Sequence, residues 1–160
     1  QLYCYRVASV VGQLSAQIFG YTDRKTLKYA HDLGLAFQLT NIIRDVGEDV
    51  RRGRIYIPLD ELQRFNVKPD DLFALKESDE FRALMEFQIE RAEHYYAQAL
   101  AELPAADRKS QRCGLVMAAV YRAILDEIKR DGAGKVLNSR LSLGKFRKLW
   151  LAFRAWYWGR

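Results

Sequence analysis

Apolar residues recur every three or four positions along most of the chain, which is the spacing of one face of an α-helix. The pattern predicts helices over 2–19, from the cap at Thr22 or Asp23 to about 50, within 59–65, 66–75 and 79–103, and within 114–130 and 143–160. Ser78 is the predicted cap of the helix within 79–103. No strand-like alternation of apolar and polar residues appears. The sequence therefore predicts an all-α fold in a single domain over 1–160.

Composition narrows the class of protein. Apolar residues make up 49% of the chain and charged residues 29%, which is a globular balance. The net charge of +6 favours an anionic partner, but the basic residues are dispersed and no DNA-reading motif is visible, so we do not expect nucleic acid. Two cysteines make no disulfide framework, and no apolar run is long enough to span a bilayer, so we expect a cytoplasmic protein. The chain opens without Met on a mid-helix pattern, and we expect a further portion upstream of Gln1.

The stretch QLTNIIRDVGEDVRRGR, residues 38–54, concentrates three carboxylates and then several arginines. At about 100° per residue, one stripe of the predicted helix carries amide and carboxylate side chains. These are Gln38, Asn41, Asp45 and Asp49, with Glu48 on the flank. An adjoining stripe is apolar and consists of Leu35, Leu39, Ile42 and Val46. A polar stripe of this kind beside a core stripe is unusual, and it raises the question of which ligand the carboxylates bind.

The carboxylates of this stripe repel one another, and no Lys or Arg lies four positions from Asp45 or Asp49 to relieve the repulsion. Carboxylates one helical turn apart can share Mg²⁺, which typically uses one or two carboxylates, waters and substrate phosphates. Arg51, Arg52 and Arg54 suit phosphate oxygens that the metal leaves uncovered. A solvated acidic helix end followed by a basic loop explains the same charges, so composition alone leaves both interpretations open.

Longer segments of the sequence resemble the squalene/phytoene synthase family along the whole chain. The segments are QLTNIIRDVGED, RRGRIYIP, YCYRVASVVG and AAVYRAILDEI, while VASVVG, RIYIPLDELQRF and RKLWLAFRAW are most similar to bacterial presqualene diphosphate synthases of hopanoid biosynthesis. The resemblance implies an isoprenoid synthase-type helical bundle around a central cavity, and a Mg²⁺-dependent prenyltransferase. The family carries two aspartate-rich motifs on facing helices. The second is Asp45-Val-Gly-Glu48-Asp49, and we expect the first upstream of Gln1.

The resemblance also implies roles for individual residues. Asp45 and Asp49 would hold Mg²⁺, with Glu48 as support. Tyr3 matches a tyrosine near the reacting carbons, where the face of a ring stabilises positive charge. The substrate-binding positions are Gln38 and Asn41 in the same site, Arg54 and Tyr56 against the diphosphate, and Val7, Ala8, Val11 and Phe37 along the prenyl channel. Tyr121 either closes the far end of that channel or packs in the core. From the pattern alone, Tyr3 and the channel residues are core residues.

The resemblance leads us to expect the head-to-head condensation of two farnesyl diphosphates to presqualene diphosphate, or onward to squalene, with release of diphosphate. The alternative within the family is a phytoene synthase that acts on geranylgeranyl diphosphate. A different class, a basic helical module that binds a membrane or a partner without catalysis, would have no use for the pair Asp45 and Asp49.

The C-terminal segment predicts a second kind of contact. One face of its helix carries Phe146, Leu149, Trp150, Phe153, Trp156 and Tyr157, with Lys145, Lys148 and Arg160 around it. Aromatic and basic residues together suit the surface of an anionic membrane, which here would be a peripheral contact of residues 145–160 with the inner membrane. Docking of a terminal helix on the body of the protein explains the pattern equally well.

Overall fold

The computed structural model describes the backbone of residues 2–158 and the side chains of residues 3–157. Its α-helices are α1 (Leu2–Cys4), α2 (Val10–Phe19), α3 (Lys25–Arg51), α4 (Leu59–Arg64), α5 (Pro69–Phe73), α6 (Asp79–Glu102), α7 (Arg112–Asp131) and α8 (Lys145–Trp158). A π-helical turn, Tyr5–Ser9, joins α1 to α2, and 3₁₀ helices cover Ala105–Asp107 and Ala133–Leu137. No strand occurs in the described part of the chain, so the all-α prediction is confirmed.

The longest helix, α3, lies at the centre of the fold. It packs most extensively against α6 and also against α2, α7 and the 3₁₀ helix Ala133–Leu137. Tyr29 and Ile43 of α3 are fully buried in the same core as Phe81 and Ile128 from α6 and α7. Because α3 is packed on several sides, the polar stripe that it carries is held on a rigid element.

The helical run 2–19 lies antiparallel to α3 at a separation that requires glycine. A Cβ added to Gly12 would lie 2.5 Å from the Ala30 carbonyl oxygen, and one added to Gly34 would lie 2.8 Å from the Ala8 carbonyl oxygen. Side chains there would push the two backbones apart. The close approach brings the first residues of the run towards the C-terminal end of α3.

The starts of two helices agree in part with the predicted caps. The Ser78 hydroxyl accepts a hydrogen bond from the Phe81 N–H at 3.2 Å, as predicted for α6. Asp23 accepts a hydrogen bond from the Lys25 N–H at 2.8 Å. The Thr22 hydroxyl instead donates to a carboxylate that follows α6. Of the two predicted caps, Asp23 is therefore the one that serves α3.

The C-terminal helix α8 docks along α7 by one of its sides. Leu151 is buried in this contact, Arg147 pairs with Glu127, and the Arg112 guanidinium lies 4.9 Å from the centroid of the Trp156 ring. The docking interpretation is therefore correct for this side of α8. None of the described helices combines the length and the apolar character needed to cross a membrane.

Candidate active site

An apolar cavity of about 300 Å³ lies between the helical run 2–19, α3 and α7. Its wall includes the predicted substrate positions Val7, Ala8, Val11, Phe37, Gln38 and Asn41. From α7 it includes Met117 and Tyr121, whose ring centroid lies 4.8 Å from that of Phe37. The structure thus brings these residues together around one space. Their contact with a prenyl chain stays a prediction.

Two buried polar groups of the cavity wall have no hydrogen-bond partner among the described residues. They are the Asn41 side-chain oxygen Oδ1 and the Tyr29 hydroxyl. A buried polar atom without a partner is costly, so such atoms often mark a place where a ligand or water binds. Asn41 lies one helical turn before Asp45, and its acceptor continues the polar stripe from the cavity to the carboxylates.

Asp45 is held by two arginines from different parts of the chain. Arg44 donates to its two carboxylate oxygens at 2.8 and 2.5 Å, and Arg140 donates to Oδ1 at 2.9 Å. Burial acts to raise the pKa of Asp45, but the hydrogen bonds and charges of Arg44 and Arg140 outweigh it and lower that pKa below its ordinary value. No Lys or Arg lies four positions from Asp45, but the structure offsets its charge with cations from the preceding residue and from a distant loop.

Asp49 lies in a different electrostatic environment. Burial raises the pKa of its carboxyl, and the negative charges of Asp45 and Glu48 raise it further. Its carboxylate makes no hydrogen bond or ion pair with the part of the chain that the structure describes. The charges of Arg52 and Arg54 offset this effect only in part, so a cation would stabilise the Asp49 carboxylate.

The donors at this end of α3 fit Mg²⁺ in type, because carboxylate and amide oxygens are ligands for hard cations. In residues 2–158, however, no three His, Cys, Asp or Glu side chains converge into a metal-binding group. Glu48 is held by Arg52 at 2.6 Å and by Arg140 at 3.5 Å. The three carboxylates therefore do not form one compact group in this part of the chain, and the metal-binding roles of Asp45, Glu48 and Asp49 stay predictions.

The predicted phosphate-binding arginines have different partners. Arg51 donates to the carbonyl oxygens of Leu137 and Asn138 at 3.3 and 3.2 Å, and Arg52 pairs with a carboxylate one turn earlier. Arg51 and Arg52 thus have protein partners here, and the contact of the three arginines with phosphate stays a prediction. Within the described residues, only Arg54 of the three has a guanidinium without a hydrogen-bond or ion-pair partner.

The segment that precedes Arg140 is fixed to α3 at two points. A Cβ added to Gly47 would lie 2.1 Å from the Leu137 carbonyl oxygen, so α3 and the 3₁₀ helix Ala133–Leu137 touch through their backbones. The hydrogen bonds of Arg51 lie one helical turn further along. This attachment places Arg140 over the carboxylates.

Tyr3 and Tyr56 stack beside the carboxylate end of α3, with ring centroids 5.2 Å apart. Burial and a hydrogen bond with Tyr56 raise the pKa of Tyr3, and the nearby charge of Asp49 adds to the effect. Both rings line a second cavity of about 150 Å³, together with Leu35, Leu39 and Ile42 of the apolar stripe. The first residues of the polar stripe, Gln38 and Asn41, thus line one cavity, and the apolar stripe lines the other.

Tyr3 and Val7 would share one face of a regular α-helix, but they line different cavities. The π-helical turn Tyr5–Ser9 accounts for this, because its backbone bond from the Val10 N–H to the Tyr5 carbonyl oxygen spans one residue more than an α-helical bond. The structure therefore places Tyr3 beside the carboxylates and outside the larger cavity.

Two arginines of the site were missed as functional residues by sequence reasoning. Arg44 lies inside the motif that carries Asp45, and its adjacency was the available signal. Arg140 lies 95 positions away from Asp45, and no spacing in the sequence points to their contact.

Comparisons with known proteins show which family the chain resembles. The family model described as squalene/phytoene synthase matches residues 1–147. The chain is 40% identical to the 15-cis-phytoene synthase of Synechocystis sp., with 97% of this chain and 49% of the relative covered. It is 41% identical to the phytoene synthase of Mycobacterium tuberculosis, with 96% of this chain and 52% of the relative covered. The chain therefore spans about half the length of the curated relatives it matches.

Solved structures show the same similarity in three dimensions. A dehydrosqualene synthase in complex with ligand superposes with a TM-score of 0.79 and 29% identity, over 96% of this chain and 54% of that chain. The squalene synthase HpnC from Alicyclobacillus acidocaldarius superposes with a TM-score of 0.71 and 27% identity, over 81% of this chain and 49% of that chain. These superpositions confirm the predicted isoprenoid synthase-type helical fold.

Proposed function

Because this chain belongs to the squalene/phytoene synthase family, we propose that it forms one side of the active site of a transferase that joins two prenyl diphosphates head to head. The observation that carries the proposal is the polar stripe of α3. It runs from Asn41, in the wall of the apolar cavity, to Asp45 and Asp49 at the end of the helix. A substrate with a long apolar chain and an anionic head requires an apolar cavity for the chain next to a polar site for the head.

We assign different residues of the chain different roles in the ionisation of an allylic diphosphate. The cavity lined by Val7, Val11 and Phe37 would hold the prenyl chain and exclude the water that quenches a carbocation. Arg54 would bind the departing diphosphate through its guanidinium, which has no partner among the described residues and can form paired hydrogen bonds with phosphate oxygens. Tyr3 would turn the face of its ring towards developing positive charge.

Mg²⁺ is the proposed cofactor, and Asp45 and Asp49 are the residues of this chain that would hold it. Support comes from the oxygen-only donors and from Asp49, whose raised pKa reflects the burial and crowding of negative charge. Glu48 lies next to them as support, and Arg140 would exchange partners between the carboxylates and the diphosphate. When bound, the metal supplies positive charge that stabilises diphosphate as a leaving group.

Geranylgeranyl diphosphate is the first candidate substrate, with phytoene as the product. The curated relatives at 40 and 41% identity are named phytoene synthases, which favours this substrate over the farnesyl diphosphate expected from sequence. Farnesyl diphosphate, with presqualene diphosphate or squalene as product in hopanoid synthesis, is the second candidate. It is favoured by the similarity to solved dehydrosqualene and squalene synthases.

The test is product analysis of the full-length gene product with each diphosphate, with and without Mg²⁺. We expect phytoene from geranylgeranyl diphosphate, only when Mg²⁺ is present. An Asp49→Asn variant should lose the activity, and Glu86→Gln, which changes an exposed carboxylate on α6, should keep it. Release of diphosphate without a coupled hydrocarbon product would contradict the proposal, and farnesyl-derived product alone would assign the second substrate.

The 160-residue chain assayed by itself should turn over neither diphosphate. It supplies two candidate ligands for the metal and one wall of an open cavity, and Val7, Val11 and Leu14 are about half exposed. Robust synthesis of either product by this chain alone would show that no second set of carboxylates is needed.

A further inference from the structure

The outward side of α8 is an apolar surface on a firmly docked helix. We call it the aromatic face of α8, and it consists of Phe146, Leu149, Trp150, Phe153 and Tyr157, with exposed fractions of 89, 68, 55, 54 and 58%. The opposite side is fixed to α7 by Leu151 and by the ion pair of Arg147 with Glu127. The helix is thus held in place while it presents large apolar side chains to the outside.

The exposed charge that remains unpaired on α8 is positive. Arg140 pairs with Asp45 and Arg147 pairs with Glu127 of α7, whereas Lys145, Lys148 and Arg154 are exposed and form no ion pair with the described residues. The Arg154 guanidinium lies 4.9 Å from the centroid of the Trp150 ring, where it flanks the apolar face. A partner for this surface must accept apolar side chains and supply negative charge at the same time.

We propose that the aromatic face of α8 docks on the surface of an anionic lipid membrane. Tryptophan and tyrosine prefer the boundary between head groups and acyl chains, and basic residues at the rim attract anionic head groups. With 14 residues, α8 is about 21 Å long and too short to span the hydrocarbon core, so it lies in the plane of the interface. The charge complementarity selects a lipid surface over an uncharged protein groove.

The position of α8 connects this surface to the larger cavity, a step that rests on the proposed function. α7 carries α8 on one side and lines the cavity with Met117 and Tyr121 on another. Met117 is also 47% exposed, so the apolar surface continues from the cavity wall to the outside of α7. Docking through α8 would bring the cavity close to the bilayer, into which prenyl chains partition.

The three tryptophans of the chain, Trp150, Trp156 and Trp158, all belong to α8, so its fluorescence reports on this helix. With Trp156→Phe and Trp158→Phe, Trp150 is the single reporter. We expect vesicles of phosphatidylglycerol to shift its emission to the blue and to protect it from acrylamide. Vesicles of phosphatidylcholine should have a much smaller effect, and high salt should weaken binding. This readout needs no turnover, so it can fail or succeed independently of the proposed function.

Sedimentation with the same vesicles tests the face itself. Phe146→Ser with Leu149→Ser should weaken binding by at least about tenfold, because two large side chains no longer leave water. The matched control is Leu59→Ser with Phe73→Ser, which removes side chains of similar kind that are 70 and 49% exposed on α4 and α5. It should bind like the parent, and both variants should keep the parent's circular dichroism.

Three results would overturn the proposal. The first is equal binding of the Phe146 and Leu149 variant and the parent. The second is loss of binding only when Val11, Leu14 and Ile18 of the run 2–19 become Ser, because the membrane contact would then lie elsewhere. The third is protection of Trp150 in the full-length gene product without lipid, which would show that protein covers the face.

Discussion

A carboxylate lies at each end of α3, but the two differ in the hydrogen-bond donors that surround them. At the N-terminal end, Asp107 accepts hydrogen bonds from the Thr22 N–H and hydroxyl at 2.8 and 2.7 Å, from the Asp23 N–H at 3.1 Å, and from the Thr26 hydroxyl at 2.6 Å. At the C-terminal end, the carboxylate of Asp49 has no such donors in the described part of the chain and lies next to other acidic groups.

The pKa values express this difference. The hydroxyls of Thr26 and Thr22 lower the pKa of Asp107 strongly, because every bond favours the charged form. Burial and like charges raise the pKa of Asp49. A carboxylate that accepts hydrogen bonds from neutral donors is stabilised in its charged form by the protein itself, and it contributes to the stability of the fold. One that is crowded by negative charge is stabilised further by a cation or a proton, and groups perturbed in this way cluster at functional sites.

Replacing Asp by Asn should therefore affect activity at the C-terminal end of α3 and stability at the N-terminal end. The largest expected effect is on catalysis. Asp45→Asn and Asp49→Asn in the full-length gene product should each lower kcat by about 10³-fold, because each removes several kcal/mol of stabilisation of the leaving diphosphate. Mg²⁺ with diphosphate should raise the Tm of the parent and raise that of the variants much less.

The melting temperature without ligand is the control. We expect the Asp49→Asn variant to melt at or above the temperature of the parent, since a repelling charge has been removed. Parent-like turnover with an intact Mg²⁺-dependent shift in Tm in both variants would mean that the carboxylates bind no metal.

At the other end, Asp107→Asn should lower the Tm by about 5 °C, because charge-assisted hydrogen bonds from both threonines are lost in a buried site. Assayed well below its Tm, the variant should keep the kcat of the parent. A fall in kcat without a fall in Tm would place Asp107 in the catalytic machinery and end the contrast between the two sites.

The sequence was enough to predict the helices and the stripe of Gln38, Asn41, Asp45 and Asp49, because helical period and amide or carboxylate chemistry are local properties. It did not predict the partner of Asp45, because Arg140 reaches it only through the packing of Gly47 on Leu137. Long-range contacts of this kind carry no local signal.

The π-helical turn after Tyr3 was not predicted either. Helical period alone does not reveal one inserted residue, so the separation of Tyr3 from Val7 into two cavities came only from the structure. Asp107 lay beyond sequence reasoning for the same reason as Arg140, since Thr22 is 85 positions away.

Among the arginines of the functional end, Arg54→Lys should have a moderate effect. It keeps the charge but loses the planar fork that pairs with two phosphate oxygens. We expect KM for the diphosphate substrate to rise about tenfold, which corresponds to about 1.4 kcal/mol. Arg52→Lys is the matched control, because Arg52 already pairs with Glu48. Its KM should stay near that of the parent, and equal KM values for Arg54→Lys and the parent would remove Arg54 from the site.

The smallest predicted effect is on the pH dependence of stability, measured in EDTA so that metal binding contributes nothing. Asp107, with its lowered pKa, stabilises the fold at neutral pH, and this contribution is lost as pH falls below the value of about 4 for an unfolded Asp. Asp49, with its raised pKa, binds a proton in the folded state first, so its protonation adds stability as pH falls through that value. Between pH 6 and 3, the Tm of Asp107→Asn should therefore fall less than that of the parent, and the Tm of Asp49→Asn should fall more. If both variants shift the acid profile in the same direction, the two ends of α3 do not differ in the way the hydrogen bonds indicate.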